Sequence, residues 1–166
     1  MNVFEFAMKM EADGRAYYES RAAATSNPAL KRIWQQMAED EIKHYEIFRR
    51  FRDGEVPSAA EMATGGTKIL EGSKTVFEEL SKSEDLSSFG GDEIEAWEKA
   101  KQLEVETEKF YREKATEEKD QRIGKSFNLL ADEEHKHVHL IEHVLDFLNQ
   151  PKQWLENAEW SNLGRD

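Results

Sequence analysis

Polar residues recurring inside an otherwise apolar helical seam constrain this chain more than any other feature. Leu30, Trp34, Met37, Glu41, His44, Phe48 and Phe51 are spaced alternately by four and three residues. That is the stripe an amphipathic helix turns toward a bundle. A carboxylate and an imidazole therefore stand one turn apart on the face that should be buried. The pattern returns in Ile123, Phe127, Leu130, Glu134, His137, Ile141, Val144 and Leu148. The strings "MAEDEIKHYEIF" (37–48) and "LADEEHKHVHLI" (130–141) align at an offset of 93 residues.

The same offset carries Phe4, Ala7, Glu11, Gly14 and Tyr18 onto Trp97, Ala100, Glu104, Thr107 and Tyr111. Residues 1–53 thus repeat as 94–146 without a gap. Each repeat reads as a helical hairpin bearing a Glu, a Tyr seven residues on, and Glu-x-x-His thirty residues after the first Glu. Asn27 and Pro28 predict an N-cap and first turn, and Asp53-Gly54 a stop. Asp92 with Glu95 predicts a capping box at the start of the third long helix. Residues 54–91 begin and end in loop-forming sequence ("GEVPSAAEMATGG", "SEDLSSFGG"). Between these, Ile69, Val76, Phe77 and Leu80 predict a shorter helix.

The expected fold is all-α. Residues 1–150 should form a ferritin-like four-helix bundle, two repeated hairpins joined by a long crossover over 54–91 that contains the short helix. Residues 151–166 should form a C-terminal tail that docks on the bundle. Charged residues make up 35% and hydrophobic residues 38%, the profile of long helices with solvated outer faces. At 166 residues the chain can bury one proper core. It contains no cysteine, which excludes disulfides, thiolate catalysis, Cys-ligated zinc and iron–sulfur or rubredoxin-type centres within these residues. A net charge of −12 argues against nucleic acid or an anionic membrane as partner, since both need a basic face. No segment reads as a leader or a membrane span, so a cytoplasmic location is expected.

Four carboxylates in a dry core cannot all stay ionised without compensation. Two divalent cations would balance the charge of Glu11, Glu41, Glu104 and Glu134, and His44 and His137 would supply one nitrogen to each. A carboxylate and imidazole set without sulfur suits iron or manganese, with zinc as a further occupant. One Glu from each of two helices and Glu-x-x-His from the other two is a known ligand plan of ferritin-like di-iron proteins.

The chain resembles the rubrerythrins, in the form that lacks a rubredoxin domain. "KMEADGRAYYES" and "QLEVETEKFYRE" are similar to the family's E-x6-Y helices, and "MAEDEIKHYEIF" and "LADEEHKHVHLI" to its E-x-x-H helices. The likeness covers about residues 1–148. It implies two iron ions bridged by Glu41 and Glu134, with Glu11 and Glu104 as terminal ligands and His44 and His137 completing the two shells. Typical members carry a further glutamate three residues after the third-helix Glu, to which one iron moves on oxidation. Here Thr107 holds that position and Gly14 its repeat mate, which puts such movement in question.

Tyr18 and Tyr111 read either as plain core packing or as hydroxyls bonded to a ligand carboxylate. Asp40 and Glu133 read either as solvated acids or as groups that orient a histidine of the opposite hairpin. His135, His139 and His143 form an i, i+4, i+8 stripe that reads as a solvated face, with a stray-metal site as the alternative. The resemblance implies an oxidoreductase that reduces hydrogen peroxide or O2 with electrons from an external donor protein. An iron-oxidising, iron-handling or storage protein is the alternative, and a bundle with structural metals a third reading. A homo-oligomer is expected, most simply a dimer, since the long crossover permits exchange of hairpins between copies.

Overall fold

The computed structural model describes residues 2–64, 66–81 and 91–150. Every regular element among them is a helix: α1 (Val3–Ala24), α2 (Pro28–Arg52), α3 (Ala59–Thr64), α4 (Ile69–Ser81), α5 (Gly91–Glu117) and α6 (Gln121–Asn149).

The long helices begin where short polar side chains can take up unpaired backbone N–H groups. Asn2 accepts from the Glu5 amide at 2.8 Å, Asn27 from those of Ala29 and Leu30 at 2.9 and 3.1 Å, and Asp120 from that of Arg122 at 2.9 Å. Pro28 occupies the first turn of α2, where its missing N–H costs nothing. That helix stops at Asp53, and Gly54 follows at φ 84°, a backbone state that favours glycine.

Two boundaries differ from the sequence expectation. α5 starts at Gly91, so Asp92 lies in its first turn rather than at its cap. There Asp92 and Glu93 face the positive end of the helix dipole. The stretch after Pro57, expected as loop, contains α3. Its cause is a reciprocal capping box: the Glu61 amide donates to Ser58 Oγ at 3.1 Å, and the Ser58 amide donates to Glu61 Oε2 at 3.2 Å. The expected loop at 82–90 and the docking of the 151–166 tail lie outside the described residues.

Backbones approach closely within each hairpin, α1 against α2 and α5 against α6, and rarely between hairpins. The space between hairpins is filled by side chains. α4 rests on both α2 and α6 through Ile69, Val76, Phe77 and Leu80, all buried. The apolar interior falls into two clusters. One gathers Tyr18, Leu30, Trp34, Trp97, Phe77 and Ile141; the other gathers Ala7, Phe48, Phe51, Tyr111, Phe127 and Leu130. The polar seam residues belong to neither.

Candidate metal centre

Glu11 comes from α1, Glu41 and His44 from α2, Glu104 from α5, and Glu134 and His137 from α6. All six are buried, none more than 4% exposed. Seam register explains this: the apolar residues that flank them along each seam face the core and carry the polar residues in with them.

Their atoms converge. His44 Nδ1 stands 2.8 Å from Glu134 Oε1 and 3.6 Å from Glu11 Oε2. His137 Nδ1 stands 3.1 Å from Glu104 Oε1, 3.6 Å from Glu41 Oε1 and 3.8 Å from Glu134 Oε2. Two sets of potential metal-ligating atoms result, each lying within 4.8 Å of one another. One draws on Glu11, Glu41, His44 and Glu134; the other on Glu41, Glu104, Glu134 and His137. Glu41 and Glu134 belong to both sets, and each set takes residues from both hairpins.

A second layer holds these groups in place. The Tyr18 hydroxyl donates to Glu104 Oε1 and the Tyr111 hydroxyl to Glu11 Oε1, each across to the opposite hairpin. Behind His137, Asp40 Oδ2 lies 2.8 Å from Nε2, which fixes the tautomer that leaves Nδ1 facing the carboxylates. The counterpart contact is longer, with Glu133 Oε1 at 4.0 Å from His44 Nε2. Thr67 holds both acids. Its backbone N–H donates to Glu133 Oε1 while its hydroxyl donates to Asp40. Thr67 lies in the crossover just before α4 and was not singled out from the sequence, because a lone threonine in a Gly-rich loop carries no periodic signal.

The electrostatics are those of a site built for cations. Burial, then the neighbouring carboxylates, pushes Glu41 and Glu134 well above the usual carboxylate range. Burial also acts on Glu11 and Glu104, but their contacts with Glu41 and His44, or with His137 and Glu134, outweigh it and leave both low. Burial pulls His44 and His137 down, yet the surrounding carboxylates prevail and raise both well above the ordinary imidazole value. One oxygen of each central carboxylate has no hydrogen-bond partner: Glu11 Oε2, Glu41 Oε1, Glu104 Oε2 and Glu134 Oε2. Buried polar atoms are rarely left unpaired without a function. Four at one point, beside two imidazole nitrogens, fit a pair of divalent cations.

A family model described as Rubrerythrin matches residues 2–145. The chain belongs to the rubrerythrin family. No curated protein and no solved structure matches it. Family and geometry agree that this buried Glu/His cluster fits a ferritin-like di-iron site.

Two positions shape this rubrerythrin's centre on the α1/α5 side. The Thr107 hydroxyl donates to the Leu103 carbonyl at 2.8 Å. A Cβ on Gly14 would touch Glu41 Oε2 at 3.4 Å, so the missing side chain leaves Glu41 uncovered from that direction. Together they line a cleft of about 390 Å³ that reaches Glu41, Glu104 and Glu134. The remaining histidines lie elsewhere on α6. His135 is exposed and pairs with Glu108 at 2.9 Å, while His139 and His143 face each other at 3.3 Å. Among the described residues, no third group joins them in a metal-sized cluster. No helix among the described residues is long and apolar enough to cross a membrane.

Proposed function

We propose that the chain is a non-haem di-iron oxidoreductase that reduces hydrogen peroxide or O2, drawing electrons from an external donor protein. The observation that carries this reading is the set of four unpartnered carboxylate oxygens opposite two inward-facing imidazole nitrogens, with a cleft that reaches Glu41, Glu104 and Glu134. Glu41 and Glu134, common to both sets, would be shared by the two ions. Glu11 with His44, and Glu104 with His137, would complete one ion each. Manganese or zinc could occupy the same ligands. Two Fe(II) ions held there would supply the two electrons that cleavage of a peroxide O–O bond takes up.

The chain's own contribution is positioning and proton control. Tyr18 and Tyr111 hold one oxygen of Glu104 and of Glu11, leaving the other without a hydrogen-bond partner. Asp40 keeps His137 turned with Nδ1 inward. The cleft between α1 and α5 admits a small oxidant without opening the bundle, and its floor lies at the shared carboxylates. Phe48, Phe127, Trp34 and Trp97 close off the flanking core from water.

A second reading has one observation in its favour. Asp13, Glu106 and Lys99 line the same cleft, two acids to one base, a net acidic approach suited to Fe(II) as the substrate to be oxidised and passed on. The two readings diverge in a single assay. Anaerobically iron-loaded protein given a reductant and repeated additions of peroxide should turn over continuously with two irons retained. Accumulation of many ferric ions per chain, without peroxide turnover, would replace the first reading by the second.

A further inference from the structure

The two halves of the repeat differ at one aromatic site. In the first apolar cluster, the indoles of Trp34 and Trp97 stack with centroids 3.6 Å apart and planes 20° from parallel. Tyr18 lies against Trp34 at 5.8 Å and 28°. Its hydroxyl is the one bonded to Glu104. Both indole N–H groups point at the same atom, Glu93 Oε1, from 3.0 Å for Trp97 and 3.4 Å for Trp34. The Glu93 side chain is partly exposed, with Arg21 4.0 Å from its other oxygen. An unbroken series of redox-active rings therefore runs from a carboxylate of the centre to a proton-accepting group near the surface.

The repeat supplies its own control. The offset of 93 residues places Tyr111, Phe127 and Phe4 where the first cluster has Tyr18, Trp34 and Trp97. Phe4 and Phe127 also stack, at 6.2 Å and 13°. Packing at these positions is thus met by phenylalanine, whose ring is oxidised only at much higher potential than indole or phenol. Two tryptophans sharing one carboxylate are more than packing requires.

We propose that Tyr18, Trp34 and Trp97 form a one-electron relay between the metal centre and the Glu93 edge of the bundle. This rests on the oxidoreductase reading. When both irons are already Fe(III), the two electrons that a further peroxide takes up must come from the chain: Tyr18 would give the first inward and its phenolic proton to Glu104 Oε1, breaking its O–H bond, and a second passage along the relay would give the other. Trp34 returns one electron to the Tyr18 oxygen, which takes its proton back. The missing electron is then shared by the stacked indoles, and one indole N–H proton passes to Glu93 Oε1. A one-electron donor protein docking at this edge refills the pair, and Glu93 returns the proton. Electron transfer falls off exponentially with the gap between rings, so a contact stack is the fast route.

The decisive variant is Trp34→Phe with Trp97→Phe, the residues the second half already uses. Iron-loaded protein is mixed anaerobically with several equivalents of peroxide and no reductant, the first to oxidise both Fe(II) ions and the next to draw on the relay, then freeze-quenched and examined by electron paramagnetic resonance. A radical that narrows on indole deuteration is expected in the wild type and should be lost in the double variant, with iron stoichiometry unchanged. Peptide mapping should then place oxygen additions at Trp34 and Trp97 ahead of Trp154 and Trp160. Consumption of peroxide with no tryptophan radical, the same signal in the variant, or additions spread evenly over all four would overturn the relay alone. Failure of bound iron to react with peroxide would overturn the oxidoreductase reading and the relay with it. In metal-free protein the stacked pair should give a near-ultraviolet circular dichroism couplet that either single Phe variant removes. A wild-type spectrum without it would remove the relay on structural grounds, even if the double variant does not fold.

Discussion

Glu41 shows what a single side chain costs and gains at this centre. It is buried with one oxygen unpartnered, and burial together with three neighbouring carboxylates raises its pKa. In metal-free protein Glu41→Leu should therefore stabilise the fold, by about 1.5–3 kcal/mol from the added apolar burial. With Fe(II) present the wild type gains binding free energy that the variant forfeits, so the order of stabilities should reverse. Anaerobic thermal melts with and without Fe(II) check this, and Glu134→Leu should behave alike; a ranking indifferent to metal would remove Glu41 from the centre. The six central residues were legible in the sequence because a polar residue on an apolar seam breaks a period, and the break occurs twice at one offset. The partners of Tyr18 and Tyr111 were not. Seam position says that a tyrosine points inward, but its reach to the opposite hairpin depends on how two helices face each other.

Among the elements, the crossover does more than connect. Its Thr67 ties together Asp40 and Glu133, the acids behind the two histidines, and α4 then lies across α2 and α6. Thr67→Val keeps the backbone donor but removes the hydroxyl, leaving Asp40 short of a partner. The expected loss is about 1–3 kcal/mol in stability. Metal affinity should weaken about 10–100-fold, as when other groups that orient a ligand are removed. Isothermal titration with a divalent metal reads the second effect, and affinity equal to wild type would confine Thr67 to a structural part. The long helices and α4 follow from seam spacing and caps that are local in sequence. α3 was missed although Ser58 and Glu61 form a capping box, because only one turn and a half follows it and no periodic face develops. The start of α5 was misplaced by the acids of its first turn, which suit a cap and a helix dipole equally.

At the scale of the whole molecule, protons and metal compete for one cluster. His44, His137, Glu41 and Glu134 all have raised pKa values in the metal-free fold. Groups of this kind bind more protons folded than unfolded, so their contribution declines as pH rises past the unfolded values, near 4.5 for Glu and 6.5 for His. Glu11 and Glu104 are depressed and lose their contribution only as pH falls below that carboxylate value. Metal-free protein should accordingly be most stable under mildly acidic conditions and lose stability toward pH 8. Metal binding displaces those protons and tightens as pH rises. The separation between metal-bound and metal-free melting temperatures should therefore widen from pH 5 to 8, and a constant separation would contradict it. The division of the ligand sets between hairpins has a further consequence. Neither hairpin holds a complete set, since Glu134 is needed beside Glu11, Glu41 and His44, and Glu41 beside Glu104, Glu134 and His137. A chain nicked in the crossover becomes two separate molecules whose dissociation constant is dialled by the free concentration of a divalent ion. Such fragments should co-elute when Zn(II) is supplied and part under a chelator, a split pair in which an ion takes the place of the peptide link.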